Sequence, residues 1–383
     1  MRFKLLGKLL SFVGATIISA APIVCAQSPP AGPQGPPPEL PEAKAIAQPK
    51  DEGELAAAIT KLASGLAAAG KFSGSILLAA GDKVLVDQAW GDADRKAKVA
   101  NTPDTAFDVG SIGKLFTQIA ILQLAQAGKL ELDEPFGNYV TNYPNKEIAG
   151  KVTIRQLMFN TGGIPDAFAQ MSPGTDLKAK RELKDFLPLF ASKPLEFEPG
   201  ASNRYSSSGY IILGLVIEAL SGKDYFSYIK DAILQPAGMT HSGFFDRGNL
   251  PAIVARNYDG DDDVTEMHPP RGSSAGGLQA SAGDLFRLIQ AIDKGKLLHK
   301  ESIKTLRQLI PSPPGSPGPA DESKLAAYGI SGGAPGVSAQ LAVDPQGYFT
   351  RVVLCNSSPP MAMAMGVTIR SWMRQLPKQE HGG

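Results

Sequence analysis

Apolar residues follow two patterns along the chain, short strand-like runs near both ends and longer helix-like runs between them. Near the start, 75–80 and 83–90 flank Gly81-Asp82, which predicts a β-hairpin. Near the end, 337–343 and 348–356 form a second such pair. We therefore predict an α/β fold in which one antiparallel sheet is built from both chain ends, flanked by helices, with an inserted and mostly helical lobe.

The middle of the chain carries apolar repeats that are typical of helices. The most apolar segment, 112–127, is hydrophobic nearly all round, which indicates a buried helix, and Gly128 supplies its end. The 176–191 stretch is predicted to be a polar helical region. Further helices are predicted over 54–69, 152–159, 208–220, 225–234, 281–293 and 361–376.

Lys114 is the anomaly in the apolar segment, because a lysine without a partner is costly to bury. Ser111 is predicted at the N-cap of this helix, three residues earlier on the same face. An amine in that place can take the proton of the hydroxyl and make it a nucleophile. Serine is also a favoured N-cap without any chemistry, and a second Ser-x-x-Lys occurs at Ser227 and Lys230, so the pattern needs context.

Composition narrows the class of protein. The 383 residues are 43% hydrophobic, enough for a large core in one domain or two joined lobes. The net charge is +1 and no basic cluster lies outside the N-terminus, so no nucleic-acid partner is expected.

The histidines show no metal-ligand spacing. Asp259, Asp261 and Asp263 alternate as in a calcium loop, but Val264 stands where the turn glycine belongs. We predict no metal and no cofactor.

The first residues resemble a targeting segment. Basic residues precede an apolar run over 9–24, and a small-residue cleavage site ends at Ala26. We predict a signal peptide over 1–26 and export to the periplasm or the medium, with an uncleaved membrane anchor as the alternative. Cleavage there leaves Cys355 as the only cysteine, which excludes a disulfide within the mature chain.

A proline-rich stretch follows the targeting segment. Residues 27–50 hold eight prolines, which is typical of an extended, disordered linker. The folded domain is predicted over 51–376, followed by a short tail over 377–383.

Several motifs follow one another along the chain in a characteristic order and spacing. Together they resemble the serine β-lactamase and penicillin-binding protein superfamily, specifically the class C β-lactamase and serine esterase branch. The resemblance covers 55–376 and implies a β-lactamase/transpeptidase-like fold. The stretches that carry it are 107–114, 130–135, 152–157, 199–210, 275–278, 281–285 and 332–336.

The resemblance implies a mechanism for this chain. Ser111 would attack an ester or amide carbonyl and form an acyl-enzyme, while Lys114 and Tyr205 share the proton transfers. The Lys114 cation would lower the pKa of Tyr205 and make it a base. The backbone amides of Ser111 and Gly333 would form the oxyanion hole. The implied substrate-binding residues are Ser207, Ser331, Gly332 and Gly333.

Two departures from the family pattern affect the expected substrate. Ser207 stands where an asparagine is usual, and Ile330 where a lysine or histidine is usual. Without that cation, capture of a substrate carboxylate is weakened. We therefore expect an exported serine hydrolase, acting on small esters or related acyl substrates, with activity that the departures can impair. The alternatives are a β-lactamase or D-amino-acid peptidase, and a non-catalytic member that binds a peptide or cell-wall fragment.

Two rival motifs fail on context. Residues 272–276 fit the Gly-x-Ser-x-Gly elbow with Ser274 as nucleophile, followed by Asp284 and His299, but residues 267–271 before it do not form a strand pattern. A literal Tyr-x-Asn at Tyr143 is interpreted as a turn that follows Ser111 too soon. We therefore keep Ser111 as the predicted nucleophile.

Overall fold

The structure is a computed structural model that describes residues 39–169, 175–309, 325–326, 328–345 and 347–376. The strands are β1 Gly74–Ala80, β2 Lys83–Trp90, β3 Asp92–Asp94, β4 Val99–Ala100, β5 Phe107–Asp108, β6 Tyr258–Asp259, β7 Asp262–Asp263, β8 Gln279–Ala280, β9 Gly329–Ala334, β10 Val337–Val343 and β11 Phe349–Cys355.

The α-helices are α1 Glu52–Ala68, α2 Gly113–Gln126, α3 Lys146–Lys151, α4 Ile154–Met158, α5 Ser207–Ser221, α6 Tyr225–Ile229, α7 Gln235–Ala237, α8 Ala282–Asp293, α9 Lys300–Gln308 and α10 Met361–Arg374. Short 3₁₀ helices occur at Pro41–Ala45, Gly110–Ile112, Phe136–Asn138, Leu183–Leu189 and Thr265–Met267, and a π turn at Lys230–Leu234 links α6 to α7.

Both chain ends build the main sheet. Its five strands lie in the order β2-β1-β11-β10-β9, and β1 pairs with β11 in antiparallel register, Gly74 opposite Cys355. Successive residues of a strand face opposite sides, so Ile76 packs with α1 and α10, whereas Leu77 joins the larger core that contains α2, α5 and α8. The predicted α/β fold, with a sheet from both ends and an inserted helical lobe, is confirmed.

α2 is buried along nearly its whole length, as the apolar pattern predicts. Its polar side chains find partners inside the protein. Thr117 donates to the Ser274 carbonyl oxygen at 2.7 Å, and Gln118 donates to the Tyr210 hydroxyl at 2.6 Å. The polar face of α2 therefore joins the helical lobe to the 273–276 loop.

Two predicted helices are shorter than expected. In the 176–191 region the structure has only the 3₁₀ helix Leu183–Leu189, which contains Pro188. Proline lacks the N–H that an α-helix interior needs, so this segment cannot continue as an α-helix. The 152–159 prediction corresponds to α4, which begins after Thr153, whose side chain caps it reciprocally with Gln156.

Residues 39–50, assigned to the linker by their prolines, are ordered against the domain. Leu40 and Ala43 are buried beside α1 and α10, and the Leu40 N–H donates to Thr368 Oγ1 at 2.9 Å. The predicted signal peptide, the rest of the linker and the 377–383 tail lie outside the described residues. Among the helices that are described, none is both long and apolar enough to cross a membrane.

Candidate active site

Ser111 lies in the tight 3₁₀ turn Gly110–Ile112, which leads directly into α2. The N-cap of α2 is Ile112 and has no side-chain cap, so the prediction that Ser111 caps the helix is wrong. The 3₁₀ turn advances the start of the α-helix beyond Ser111. As a result the Ser111 hydroxyl is not engaged in capping and is available to other side chains.

The structure brings the three predicted catalytic residues together. Ser111 Oγ lies 2.6 Å from the Tyr205 hydroxyl and 3.3 Å from Lys114 Nζ. Ser111 comes from the 3₁₀ turn and Lys114 from the first turn of α2, while Tyr205 lies just before α5. Ser207, from the first turn of α5, places its hydroxyl 3.5 Å from Lys114 Nζ.

Lys114 is held by a carbonyl and two aromatic rings. Only 4% of the residue is exposed, and Nζ donates to the Ala275 carbonyl oxygen at 2.5 Å. The ammonium also lies 4.7 Å from the ring centre of Tyr205 and 5.3 Å from that of Tyr210. The negative faces of aromatic rings stabilise a cation at such distances. These contacts hold the amine beside Ser111.

Tyr205 has a lowered pKa. Burial opposes ionisation of its phenol, but the Lys114 charge and hydrogen bonds with Lys114, Ser111 and Ser207 outweigh burial and hold the pKa of Tyr205 below its usual range. Although 42% of the whole residue is exposed, its hydroxyl is directed at Ser111. A phenolate in this place can accept the Ser111 proton.

Replacement of this phenol gives a direct prediction. Tyr205→Phe should lower kcat/KM on an aryl ester by about 10²–10⁴-fold, because it removes a general base while keeping the ring. In the parent, the phenolate is the active form, so activity should be lost as pH falls through the lowered pKa of Tyr205. The measurement is the pH profile of kcat/KM, with Tyr139→Phe as a control on a tyrosine of the α2–α3 connection. An unchanged profile in Tyr205→Phe would exclude the base role.

The Tyr205 segment is held by two residues that the sequence analysis missed. Asn160 has φ +57°, accepts the Ser206 N–H at its Oδ1 (3.2 Å) and accepts the Arg204 N–H at its carbonyl oxygen (3.0 Å). Asp166 Oδ2 accepts the Ser207 N–H at 2.6 Å. The only sequence signal was Asn160 before a Thr-Gly-Gly turn, since asparagine tolerates positive φ.

β9 presents an amide that points away from β10 beside the nucleophile turn. In a hairpin with a two-residue turn, the closing pair shares hydrogen bonds and the next pair does not. Here Ala334–Val337 closes the turn and Gly333 faces Ser338 in the next pair. The Gly333 N–H therefore points away from β10, toward the open edge of the sheet.

The two backbone amides named in the sequence analysis lie close together. A Cβ added to Gly110 would lie 2.9 Å from the Gly333 nitrogen. A Cβ added to Gly332 would lie 3.0 Å from the Ser111 nitrogen and 2.0 Å from the Val109 carbonyl oxygen. Only glycine at 332 permits this approach, so β9 and the nucleophile turn are in backbone contact.

The remaining residues of the third motif lie on the same edge strand. Ser331 is half-buried opposite Gln340. Ile330 is two residues from Gly332, so the two share one face of β9, and Ile330 packs against the larger core. The strand thus presents an apolar side chain where the family usually has a cation.

A buried ion pair lies next to the nucleophile turn. Asp108 and Arg247 are 5% and 3% exposed and form a direct ion pair. Asp108 Oδ1 accepts the Gly110 N–H at 2.8 Å. Burial raises the pKa of Asp108, but the Arg247 charge and the Gly110 N–H outweigh it and hold that pKa below its usual range. The pair fixes the backbone immediately before Ser111.

The rival motifs do not form sites. Ser274 is fully buried, and a Cβ on Gly214 would lie 2.3 Å from its hydroxyl oxygen, which leaves no room for a substrate. Tyr143 is 1% exposed and belongs to the core, and Ser227 and Lys230 are exposed on the surface. Among the residues that the structure describes, no cluster of three or more His, Cys, Asp or Glu could hold a metal ion.

Known proteins share both the sequence and the fold. The family model described as Beta-lactamase matches residues 59–370. PbpX of Bacillus subtilis (strain 168) is 32% identical over 243 residues, which are 61% of this chain and 58% of PbpX. The chain therefore spans little more than half the length of that relative.

Solved structures extend the comparison. The penicillin binding protein from Bacillus halodurans superposes with a TM-score of 0.69 and 31% identity, over 80% of this chain and 99% of that one. EstCE1, described as a hydrolase with promiscuous acyltransferase activity, shares the fold at a TM-score of 0.68 and 21% identity, over 84% and 98% of the two chains. The resemblance predicted from the motifs is confirmed: this chain belongs to the beta-lactamase family of serine hydrolases.

Proposed function

We propose that this protein forms an acyl-enzyme on Ser111 and hydrolyses small, uncharged acyl esters. The observation that carries the proposal is the contact of Ser111 Oγ with the Tyr205 hydroxyl at 2.6 Å, with Lys114 Nζ at 3.3 Å from the same oxygen. A nucleophile, a base and a cation that tunes the base are thus within one hydrogen-bonded group.

Acylation follows from these contacts. The Tyr205 phenolate takes the Ser111 proton as Oγ attacks the ester carbonyl carbon. Negative charge then develops on the carbonyl oxygen, and the Ser111 and Gly333 amides, whose segments are in close contact, stabilise it in this proposal. When the carbon–oxygen bond of the ester breaks, Tyr205 returns the proton to the leaving alkoxide. The products of this half-reaction are the free alcohol and the acyl-Ser111 ester.

Deacylation repeats the same steps with water. The Tyr205 phenolate takes a proton from water, whose oxygen attacks the acyl carbon, and the proton then returns to Ser111 Oγ. Lys114 stays beside the phenolate in both half-reactions, since the Ala275 carbonyl and the two rings hold its amine in place. The acid product leaves with no net change to the enzyme.

The preference for uncharged substrates rests on Ile330. Members of the family usually carry a cation at this position of β9, where it can bind a substrate carboxylate, and this chain instead has the apolar, half-buried side chain of Ile330. Lys114 already donates to the Ala275 carbonyl and lies beneath the Tyr205 ring. An anionic acyl group would therefore lose hydration without gaining an ion pair.

One substitution should shift this preference toward anionic substrates. Ile330→His should raise kcat/KM on a carboxylate-bearing substrate, such as nitrocefin, about tenfold relative to p-nitrophenyl butyrate, because one charge-assisted hydrogen bond is worth about 1.5–3 kcal/mol. Ile330→Val is the matched control and should leave the ratio of the two rates unchanged. If both substitutions shift the ratio of the two kcat/KM values equally, the change in side-chain volume determines the substrate preference. The introduced charge would then not be its cause.

The proposal is tested by active-site labelling. The 39–376 protein is treated with a fluorophosphonate, its intact mass is measured and the modified peptide is mapped. A single adduct on Ser111, absent after heat denaturation, is expected. A folded protein without an adduct would favour the non-catalytic alternative, in which the cleft binds a peptide or cell-wall fragment. An adduct on Ser274 would contradict the assignment of the nucleophile.

We also propose that the protein is exported, on the basic and apolar pattern of residues 1–26. N-terminal sequencing of the protein recovered from a bacterial periplasm or medium should begin at Gln27. Recovery of the intact N-terminus in the membrane fraction would instead support the anchor.

A further inference from the structure

Two separate segments carry the amides that meet at Ser111, and a continuous line of polar contacts joins them. The first segment is the nucleophile turn and the second is the β9–β10 hairpin. The line begins at the Gly110 N–H, which donates to Asp108 Oδ1 at 2.8 Å. Asp108 Oδ2 then accepts from Arg247 Nη2 within the buried ion pair.

Arg247 extends the line to the loop after the 3₁₀ helix Thr265–Met267. Its Nη1 donates to the Pro269 carbonyl oxygen at 2.6 Å. The preceding residue, His268, contacts the Pro335 carbonyl oxygen through Nε2 at 2.9 Å. A carbonyl oxygen can only accept, so Nε2 carries the proton in this contact. The line thus ends in the β9–β10 turn, two residues from Gly333.

The surroundings of His268 disfavour the charged form of its ring. Burial lowers the pKa of His268, and although Asp108 and the Pro335 carbonyl act to raise it, Arg247 acts with burial and the net shift is downward. A neutral imidazole has one N–H, and the contact with Pro335 uses it. The charged groups that face the ring are those of the Asp108–Arg247 pair.

The position of β9 at the edge of the sheet explains why the β9–β10 turn needs this contact. β9 is the edge strand of the sheet, and among the described strands it pairs with β10 alone, so its outer side has no neighbour in that part of the chain. A second tie, from the Gly336 N–H to Ser358 Oγ at 2.8 Å, holds the turn toward β11. His268 is the tie toward the segment that carries Arg247 and Asp108.

We infer that His268 is a positioning residue for the oxyanion hole, which holds the Pro335 carbonyl and thereby fixes the Gly333 amide relative to that of Ser111. The inference rests on the proposed function, because the separation of these amides matters only if acyl transfer takes place on Ser111. His268 itself need not touch the substrate.

The expected effect is on kcat. Displacing a catalytic group by about 1 Å can cost about 100-fold in rate, so His268→Ala should lower kcat about 10- to 100-fold on p-nitrophenyl butyrate. KM should change by less than about 3-fold, since the ground state does not use the oxyanion hole. The inhibition constant of an arylboronic acid, which forms a tetrahedral adduct, should weaken by the same factor as kcat.

Matched variants separate the hydrogen bond from packing. His268→Gln keeps an N–H donor at similar reach and should restore kcat to within about 3-fold of the parent. His268→Leu removes the donor with little loss of volume and replaces the alanine variant if that protein does not fold. His299→Ala, at the start of α9, is the control and should match the parent.

The outcomes distinguish this inference from the proposed function. An active parent with an equally active His268→Leu variant would overturn the role of His268. Equal losses in the leucine and glutamine variants would overturn it too. If the parent neither turns over esters nor reacts with a fluorophosphonate, the proposed function fails. In that case, deuterium exchange of the 329–337 peptide still tests whether His268 holds the β9–β10 turn. Faster exchange in His268→Leu than in the parent would support this role, and unchanged exchange would overturn it.

Discussion

Ser111→Ala should abolish ester turnover, with kcat/KM on p-nitrophenyl butyrate about 10⁴-fold or more below the parent. The substitution removes the only atom that can form the acyl-enzyme, while Lys114 keeps its contacts with Ala275 and the two aromatic rings. Because these contacts do not depend on Ser111, the variant should stay folded. Steady-state rates and the fluorophosphonate mass shift measure the effect.

Ser274→Ala is the matched control for this experiment. Ser274 belongs to the competing Gly-x-Ser-x-Gly motif, and its buried hydroxyl has no hydrogen-bond partner among the described residues. We expect this variant to retain the parent rate and the parent mass shift. Residual activity above about one-tenth in Ser111→Ala, a far smaller loss than removal of a covalent nucleophile causes, would show that hydrolysis occurs elsewhere.

The second large effect concerns stability. Arg247→Met should lower the free energy of unfolding by about 3–5 kcal/mol, because it leaves the buried Asp108 carboxylate without its counter-charge. At a few degrees per kcal/mol, the melting temperature should fall by about 5–15 °C.

The destabilisation caused by Arg247→Met should be smaller at acidic pH. The pKa of Asp108 is depressed by the pair, so the pair's stabilisation is present above the unfolded pKa and is lost as pH falls through the folded one.

Arg155→Met provides the comparison. Arg155 makes a two-pronged ion pair with Asp133, at 2.7 and 2.9 Å, but both side chains are substantially exposed. Exposed pairs contribute about 0–1 kcal/mol, so this variant should melt close to the parent. Similar melting temperatures for the two variants would show that burial does not increase the contribution of the Asp108–Arg247 pair to stability.

The sequence predicted those parts of the fold in which burial repeats regularly. β1, β10 and β11 are apolar runs of strand length, and α2 is apolar nearly all round, so their types follow from the pattern alone. β9 could not be predicted in this way, since three of its six residues are glycines. It is a strand because β10 pairs with it and the nucleophile turn packs against it, and both conditions are tertiary.

The site was predictable to the extent that its chemistry depends on side chains. The meeting of Ser111, Lys114 and Tyr205 was predicted because hydroxyl, amine and phenol occur in the order of the family's motifs. Asp166 and Asn160 were missed because they act on backbone N–H groups, and many polar residues can do so. The Asp108–Arg247 pair was also missed, since a contact between residues 139 positions apart leaves no local pattern.

Pairing between β1 and β11 also constrains the order of events during synthesis. β1 is translated near the start of the domain, but the strand that covers its inner edge ends at Cys355. Until then, β1 and β2 form a hairpin whose buried residues and backbone groups lack a neighbour, and an isolated hairpin is marginal in water. We therefore expect chains that stop before Phe349 to leave the inner edge of β1 unpaired, because β11 is the strand that joins β1 to β10 in the main sheet.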